Sequence, residues 1–161
     1  MKTISVVRRR AQAQELKALG ADEVICTEDE DLVQRVMAIT NGAGVPAAID
    51  AVGGQVAGSI VEALAPGGVM LSYGLLALEP ILINGALTIF RTLSVRGFWL
   101  TAWLRRAPAE KQRTVMREVL GHMAKGEIVP PVEAKYDLGD ITDAVRHAER
   151  PGRHGKVLLV G

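Results

Sequence analysis

Residues 3–26 read TISVVRRRAQAQELKALGADEVIC, and this stretch decides the fold. Thr3-Ile4-Ser5-Val6-Val7 is a β-branched run that fits a pleated, buried surface, so it predicts a buried strand. The run stops abruptly at Arg8-Arg9-Arg10. Ala11 to Leu19 then reads as a helix closed by Gly20, the residue type expected just past a helix end. Glu23-Val24-Ile25-Cys26 is a second short strand. A strand, a helix and a strand in such close succession predict a right-handed crossover between parallel strands.

The same alternation continues outward. The carboxylates of Glu28 to Asp31 suit a helix start, where negative charge meets the positive end of the helix dipole. Leu32, Val33, Val36, Met37 and Ile39 give that helix an apolar stripe, and Asn41-Gly42 closes it. Pro46 to Val52 predicts a third strand, Val56 to Leu64 a helix ended by Pro66-Gly67-Gly68, and Val69 to Tyr73 a fourth strand. Asn84 can cap a short helix over Gly85 to Phe90, which leads to a strand around Leu93 to Phe98. Pro108 opens a long amphipathic helix with Val115, Met116, Val119, Leu120 and Met123 directed inward and Gly126 at its end. Pro130-Pro131 marks a joint, followed by a strand at Val132 to Tyr136, a helix from Asp140 to Glu149 and a strand at Lys156 to Val160. The pattern predicts an α/β protein with a doubly wound, parallel sheet and no internal repeat.

Composition narrows the functional classes. Nineteen basic against 18 acidic residues leave a charge of +1, so no global field points to nucleic acid or to an anionic membrane surface. The longest apolar stretches are far short of a membrane span, and MKTISVVRRR has its basic cluster after the apolar run, the reverse of a secretory signal. A cytoplasmic location is the expectation. Cys26 is a single cysteine, which rules out an internal disulfide and a cysteine-rich zinc site, and it reads as packing at a strand end. His122, His147 and His154 are dispersed and read as non-catalytic, and neither a Ser-His-Asp nor a metal-ligand spacing occurs. Asp50, inside a strand, reads as a satisfied structural carboxylate.

Four motifs in order carry a resemblance: VVRRR with the downstream ALGADEVI, AAIDAVGG at 47–54, GGVMLSYG at 67–74, and RGFWLTAW at 96–103. In this order and spacing the chain resembles the nucleotide-binding part of the medium-chain dehydrogenases/reductases from its second strand onward. It is most similar to the zinc-independent type that includes 2-enoyl thioester reductases and quinone oxidoreductases. The resemblance implies a Rossmann-like domain over 1–130 and a segment over 131–161 that returns to a substrate domain. It also implies NADP(H) as cofactor. In a doubly wound sheet, ligands bind beyond the carboxyl ends of the strands, and Arg8, Gly53 and Tyr73-Gly74 sit at such ends. An acidic residue at the end of the second family strand would hold the ribose hydroxyls of NAD. Arg8 stands there instead, with Arg9 and Arg10 behind it, and guanidinium groups bind the extra phosphate of NADP through charge-assisted hydrogen bonds. Three arginines could equally be a solvated helix entry, and Gly53-Gly54 could be a plain turn. The resemblance assigns Tyr73, Gly74, Leu75 and Leu76 to the nicotinamide side, Phe98, Trp99 and Leu100 to the cofactor's flank, and Lys156 to a cofactor phosphate. Core packing remains open for Phe98-Trp99-Leu100, and a plain surface lysine for Lys156.

No G-x-G-x-x-G precedes VVRRR, where the resemblance would place a first strand and its phosphate-binding turn. The expected sheet therefore lacks its first strand, which belongs at the centre of the 3-2-1-4-5-6 order. The substrate domain, with the tyrosine thought to assist catalysis in enoyl reductases, has no counterpart in this sequence, so no catalytic residue is assigned. The implied family reaction moves a hydride from nicotinamide to an α,β-unsaturated carbonyl of an enoyl thioester, with a proton added at the neighbouring carbon. A quinone or alkenal is the alternative acceptor, and a non-catalytic nucleotide-binding or assembly module is the rival class. Expected partners are a small-molecule substrate, a twin copy paired through Leu93 to Phe98, or a separate chain supplying the rest. The isolated chain is expected to be inactive.

Overall fold

The β-branched run at the start forms strand β1, Ile4–Val7, and the chain returns through helix α1, Arg10–Ala18, to strand β2, Glu23–Cys26. The two strands pair in parallel, from Ile4 opposite Glu23 to Val7 opposite Cys26. These features come from a computed structural model that describes residues 2–150, 152–153 and 155–161. The chain divides into two units, Met1–Arg105 and Arg106–Gly161.

In the first unit Asp31 caps helix α2, Leu32–Ile39, by accepting the Gln34 amide at 2.8 Å. Strand β3, Val45–Asp50, helix α3, Gly54–Glu62, and strand β4, Leu64–Ser72, follow. Asn84 accepts the Ala86 amide at 3.0 Å and starts helix α4, Gly85–Phe90, before strand β5, Ser94–Gly97, and helix α5, Leu100–Arg106. Strands β3, β4 and β5 form a second parallel sheet in that order. The α/β class and the parallel winding are as expected. Two local expectations need correction. Pro66-Gly67-Gly68 does not delay the strand to Val69: β4 already starts at Leu64, and the extra residues form an irregularity between the pairs Val45–Leu64 and Ala47–Val69. Helix α5 was not foreseen, because its only periodic apolar signal is short and follows an aromatic pair.

No ladder joins β1 to β3 among the described residues, so the sheet runs β2-β1, then an interruption, then β3-β4-β5. In the doubly wound order this is the place of the first strand. The interruption explains why β1 is only half-buried rather than the buried strand its composition predicts. The two sheets share a layer of helices. Ile4 and Val6 of β1 and Val45 of β3 pack against a buried cluster of Ile25, Leu32, Val36 and Ala63. A second cluster, Ala57, Val61, Leu64 and Met70, lies between α3 and the three-stranded sheet.

The second unit contains helix α6, Ala109–Ala124, strand β6, Val132–Asp137, helix α7, Ile141–Ala148, and strand β7, Lys156–Val160. Strands β6 and β7 pair in parallel, with a register shift between Val132 and Ala134. Helix α6 buries no residue. Most of its expected inward stripe stays open, with Met116 56% and Leu120 55% exposed, while Val115 is half-buried. Ala144 is the one buried residue among those described in this unit.

Candidate functional site

The carboxyl ends of β3, β4 and β5 are laced into one surface by main-chain hydrogen bonds. Tyr73 donates to the Asp50 carbonyl at 2.8 Å, Leu76 to Ala51 at 3.2 Å, Ala77 to Val52 at 2.8 Å, and Phe98 to Ser72 at 2.8 Å. Gly53, Tyr73, Gly74, Leu75, Leu76 and Phe98 are thereby brought together. Gly53 is at φ +77°, a conformation that side chains rarely adopt, and an added Cβ would lie 2.5 Å from Leu75 Cδ1. At Gly74 an added Cβ would lie 2.5 Å from the Ala51 carbonyl oxygen, so this glycine permits the close approach of the two loops. The space beside Gly53 and Gly74 is filled by the protein's own chain.

Asp50 holds this junction. It is 3% exposed, and its carboxylate accepts from the Val52 amide at 2.9 Å, the Gly53 amide at 3.1 Å and the Ser72 hydroxyl at 3.0 Å. The strand-end carboxylate therefore shapes the turn after β3 and ties it to β4, a role that the sequence reading described only as structural. Replacing Asp50 with Ala leaves these donors without their acceptor. The substitution should cost about 1.5–3 kcal/mol, the range for hydrogen bonds to charged groups, and chemical denaturation measures the loss. An unchanged midpoint would show that water replaces the carboxylate at no cost.

The aromatic and leucine positions are open. Tyr73 is 56% exposed, Leu76 79% and Trp99 66%. Leu100, at 56%, starts helix α5, so the Phe98-Trp99-Leu100 stretch is surface rather than core.

The arginines occupy the end of β1. The Arg8 carbonyl accepts from Cys26 Sγ at 3.2 Å and from the Glu28 amide at 3.3 Å, which fixes the start of the Arg8-Arg9-Arg10 turn. Arg10 is committed to Asp29 through Nε at 3.1 Å and Nη2 at 3.0 Å. Arg8 and Arg9 have no ion-pair partner among the described residues, and Arg8 is exposed. Nearby, the Cys26 amide donates to Glu30 at 2.9 Å and holds that carboxyl below the usual carboxylate range, with Arg35 adding to the effect. That acid is therefore committed to β2 and α2. Free guanidinium groups at a strand's carboxyl end fit the phosphate of an NADP-type nucleotide.

Lys156 belongs to the second unit, where it lines an open cavity of about 410 Å³ with Pro131, Arg150, Arg153 and Gly155. Two of the three histidines are engaged in that unit. His122 pairs with Glu127, and His147 meets Glu133 at 2.9 Å through Nε2 and the Tyr136 hydroxyl at 3.0 Å through Nδ1. The irregularity at Glu133 in β6 accompanies this meeting, and sequence spacing gave no signal of it. His154 lies outside the described residues.

Comparison with known proteins agrees with this architecture. A family model described as zinc-binding dehydrogenase matches residues 1–120. The chain belongs to the zinc-binding dehydrogenase family. It is 30% identical over 164 residues to the mitochondrial enoyl-[acyl-carrier-protein] reductase of Mus musculus, covering 99% of this chain and 44% of that protein. With the Caenorhabditis elegans reductase of the same name the identity is 35% over 151 residues, covering 90% and 42%. A solved quinone oxidoreductase from Pseudomonas syringae superposes with a TM-score of 0.81 at 26% identity, over 99% of this chain and 49% of that one. The chain thus spans less than half the length of the relatives it matches. Although the family's description names zinc, no group of three or more His, Cys, Asp or Glu side chains among the described residues is assembled to hold a metal. The residues present do not fit a zinc ion, and no step is assigned to one. No helix among the described residues is long and apolar enough to cross a membrane.

Proposed function

We propose that this chain is the nucleotide-binding part of an NADPH-dependent oxidoreductase that reduces the α,β-unsaturated carbonyl of an enoyl thioester. The observation that carries the reading is the pair of uncommitted guanidinium groups, Arg8 and Arg9, at the carboxyl end of β1, where an NAD-binding protein would carry an acid. When bound, the nicotinamide supplies the hydride. Arg8 and Arg9 hold the extra phosphate, the Asp50-braced loops at Gly53 and Tyr73 to Leu76 shape the nicotinamide side, and Phe98-Trp99-Leu100 flank it. Two named relatives are enoyl reductases, which favours the enoyl substrate. A quinone acceptor is the second reading, favoured by the likeness to the Pseudomonas syringae protein.

The test is titration of the native chain and of Arg8→Ala with NADP(H) and NAD(H). Losing a charged hydrogen bond costs about 1.5–3 kcal/mol, so NADP(H) affinity should fall by about one to two decades while NAD(H) affinity holds. Equal loss for both cofactors would remove the phosphate-binding role.

A homodimer through β5 is part of the same reading. Among the described residues the outer edge of β5 has no strand partner, Val95 is 37% exposed, and pairing with a twin copy would cover an edge that otherwise invites aggregation. Light scattering should give twice the chain mass, and a monodisperse monomer at high concentration would count against the pairing.

A further inference from the structure

We propose that Asp29 is a specificity-determining residue for the nucleotide's extra phosphate, on the reading that Arg8 and Arg9 hold that group. Asp29 occupies Arg10 in the phosphate's place and yields it when the phosphate arrives. Arg8, Arg9 and Arg10 stand where the chain turns from β1 into α1, with Arg9 at the cap position and Arg10 the first helical residue. A helix N-terminus carries partial positive charge, so cations there are unfavourable unless an anion answers them. The first turn of α1 contains no acid. The answering charge comes from the segment after β2, which returns to the same place. Thr27 donates its amide to the Val7 carbonyl at 2.9 Å, Glu28 donates to the Arg8 carbonyl at 3.3 Å, and Asp29 then reaches Arg10. Glu30, the next acid, is committed to the Cys26 amide at 2.9 Å and to Arg35 at 2.7 Å.

The geometry of the pair suits exchange. Arg10 Nε at 3.1 Å and Nη2 at 3.0 Å both donate to one oxygen, Oδ2 of Asp29. The pair therefore lacks the fork-to-fork arrangement in which each nitrogen meets its own oxygen. Both partners are open to water, with side chains 73% and 38% exposed. Such a pair contributes little, because water screens it and two side chains must be ordered to form it. A phosphate dianion offers Arg10 more charge and a separate oxygen for each nitrogen. Arg10 thus passes from carboxylate to phosphate at small cost, and Asp29 is left as a like charge beside the bound dianion. An acid that withholds a cation and also repels the ligand lowers affinity for the phosphorylated nucleotide. It leaves the unphosphorylated one untouched.

The test is titration of the full chain with NADPH and NADH, read by nicotinamide fluorescence. Asp29→Asn keeps the size of the side chain and removes its charge. NADPH affinity should rise about tenfold while NADH affinity holds. Glu28→Gln removes an equal charge from an exposed neighbour that has no ion-pair partner among the described residues. Its gain should stay below about threefold, because solvent and salt screen a charge that makes no contact. Arg10→Ala should cost at least about threefold more NADPH affinity in the Asp29→Asn background than in the native one, the non-additivity expected of residues in contact. Unchanged NADPH affinity in Asp29→Asn, an equal gain in Glu28→Gln, or additive effects of Arg10→Ala would each overturn the role of Asp29 while Arg8→Ala still separates the two nucleotides. If Arg8→Ala weakens NADPH and NADH alike, the phosphate reading itself falls, and the role of Asp29 falls with it.

Discussion

Mixed with NADPH and either a medium-chain enoyl thioester or a quinone, the purified chain is expected to turn over no faster than a heat-denatured control. The candidate cofactor loops are surface features, with Leu76 79% and Trp99 66% exposed, so nothing among the described residues of the first unit walls water away from a nicotinamide. Among the described residues no ladder joins β1 to β3, where the doubly wound fold binds a pyrophosphate, and they offer that group no helix N-terminus there. Holding reactants in register can be worth about 7–11 kcal/mol, and losing that constraint removes most of the acceleration an enzyme supplies. Weak NADPH affinity through Arg8 and Arg9 is compatible with this outcome. Turnover well above the control would show that the site is more complete than its geometry indicates. Absence of turnover, followed by rescue when an upstream-type segment is added as a second polypeptide, would identify a split enzyme.

Met70→Ala should be among the most damaging single substitutions in the first unit, beside those at Ile25 and Leu64. Met70 has no exposed surface and lies in β4 among Ala57, Val61 and Leu64. Truncation removes its transfer free energy and leaves a cavity that close-packed neighbours on both a helix and a strand cannot fill, at a cost of about 2–5 kcal/mol. Domains of this size are stable by only about 5–15 kcal/mol, so the variant should lose a large share of its folded margin. Urea unfolding checks it: a lower midpoint with an unchanged slope is the expected result, and a loss below about 1 kcal/mol would mean that the cluster collapses around the gap.

The strand–helix alternation was legible because its signals are local. β-branched runs, Asn84 as a cap and glycine stops each act within one turn of chain. The interruption was legible too, once the doubly wound order was applied to a sequence without a glycine-rich turn before Val6. What escaped were long-range arrangements. Nothing local says that residues 64–68 bulge within a strand, since that depends on the register against Val45 and Ala47. The Asp50–Ser72 bond joins residues 22 positions apart, and the meeting of Glu133, Tyr136 and His147 depends on an irregular strand beside a helix. The site residues were placed at strand ends by sequence. The structure shows which of these ends are laced together, namely those of β3, β4 and β5. It also shows Arg10 already engaged by Asp29, which sequence alone left as a possible helper behind Arg8.

The scarcity of buried residues in the second unit has a calorimetric consequence. Heat capacity rises on unfolding because apolar surface meets water, while exposure of polar groups lowers it. A unit whose one buried described residue is Ala144, and whose helix α7 is tied to β6 through His147, Glu133 and Tyr136, has little apolar surface left to hydrate. Its melting therefore adds a smaller step per residue to the baseline of a thermogram than melting of the first unit. The curvature of stability with temperature, including any weakening on cooling, belongs to the clusters around Ile25 and Met70. The two units thus differ in how much hydrocarbon each withdraws from water, and with it in how strongly each bends the temperature dependence of stability.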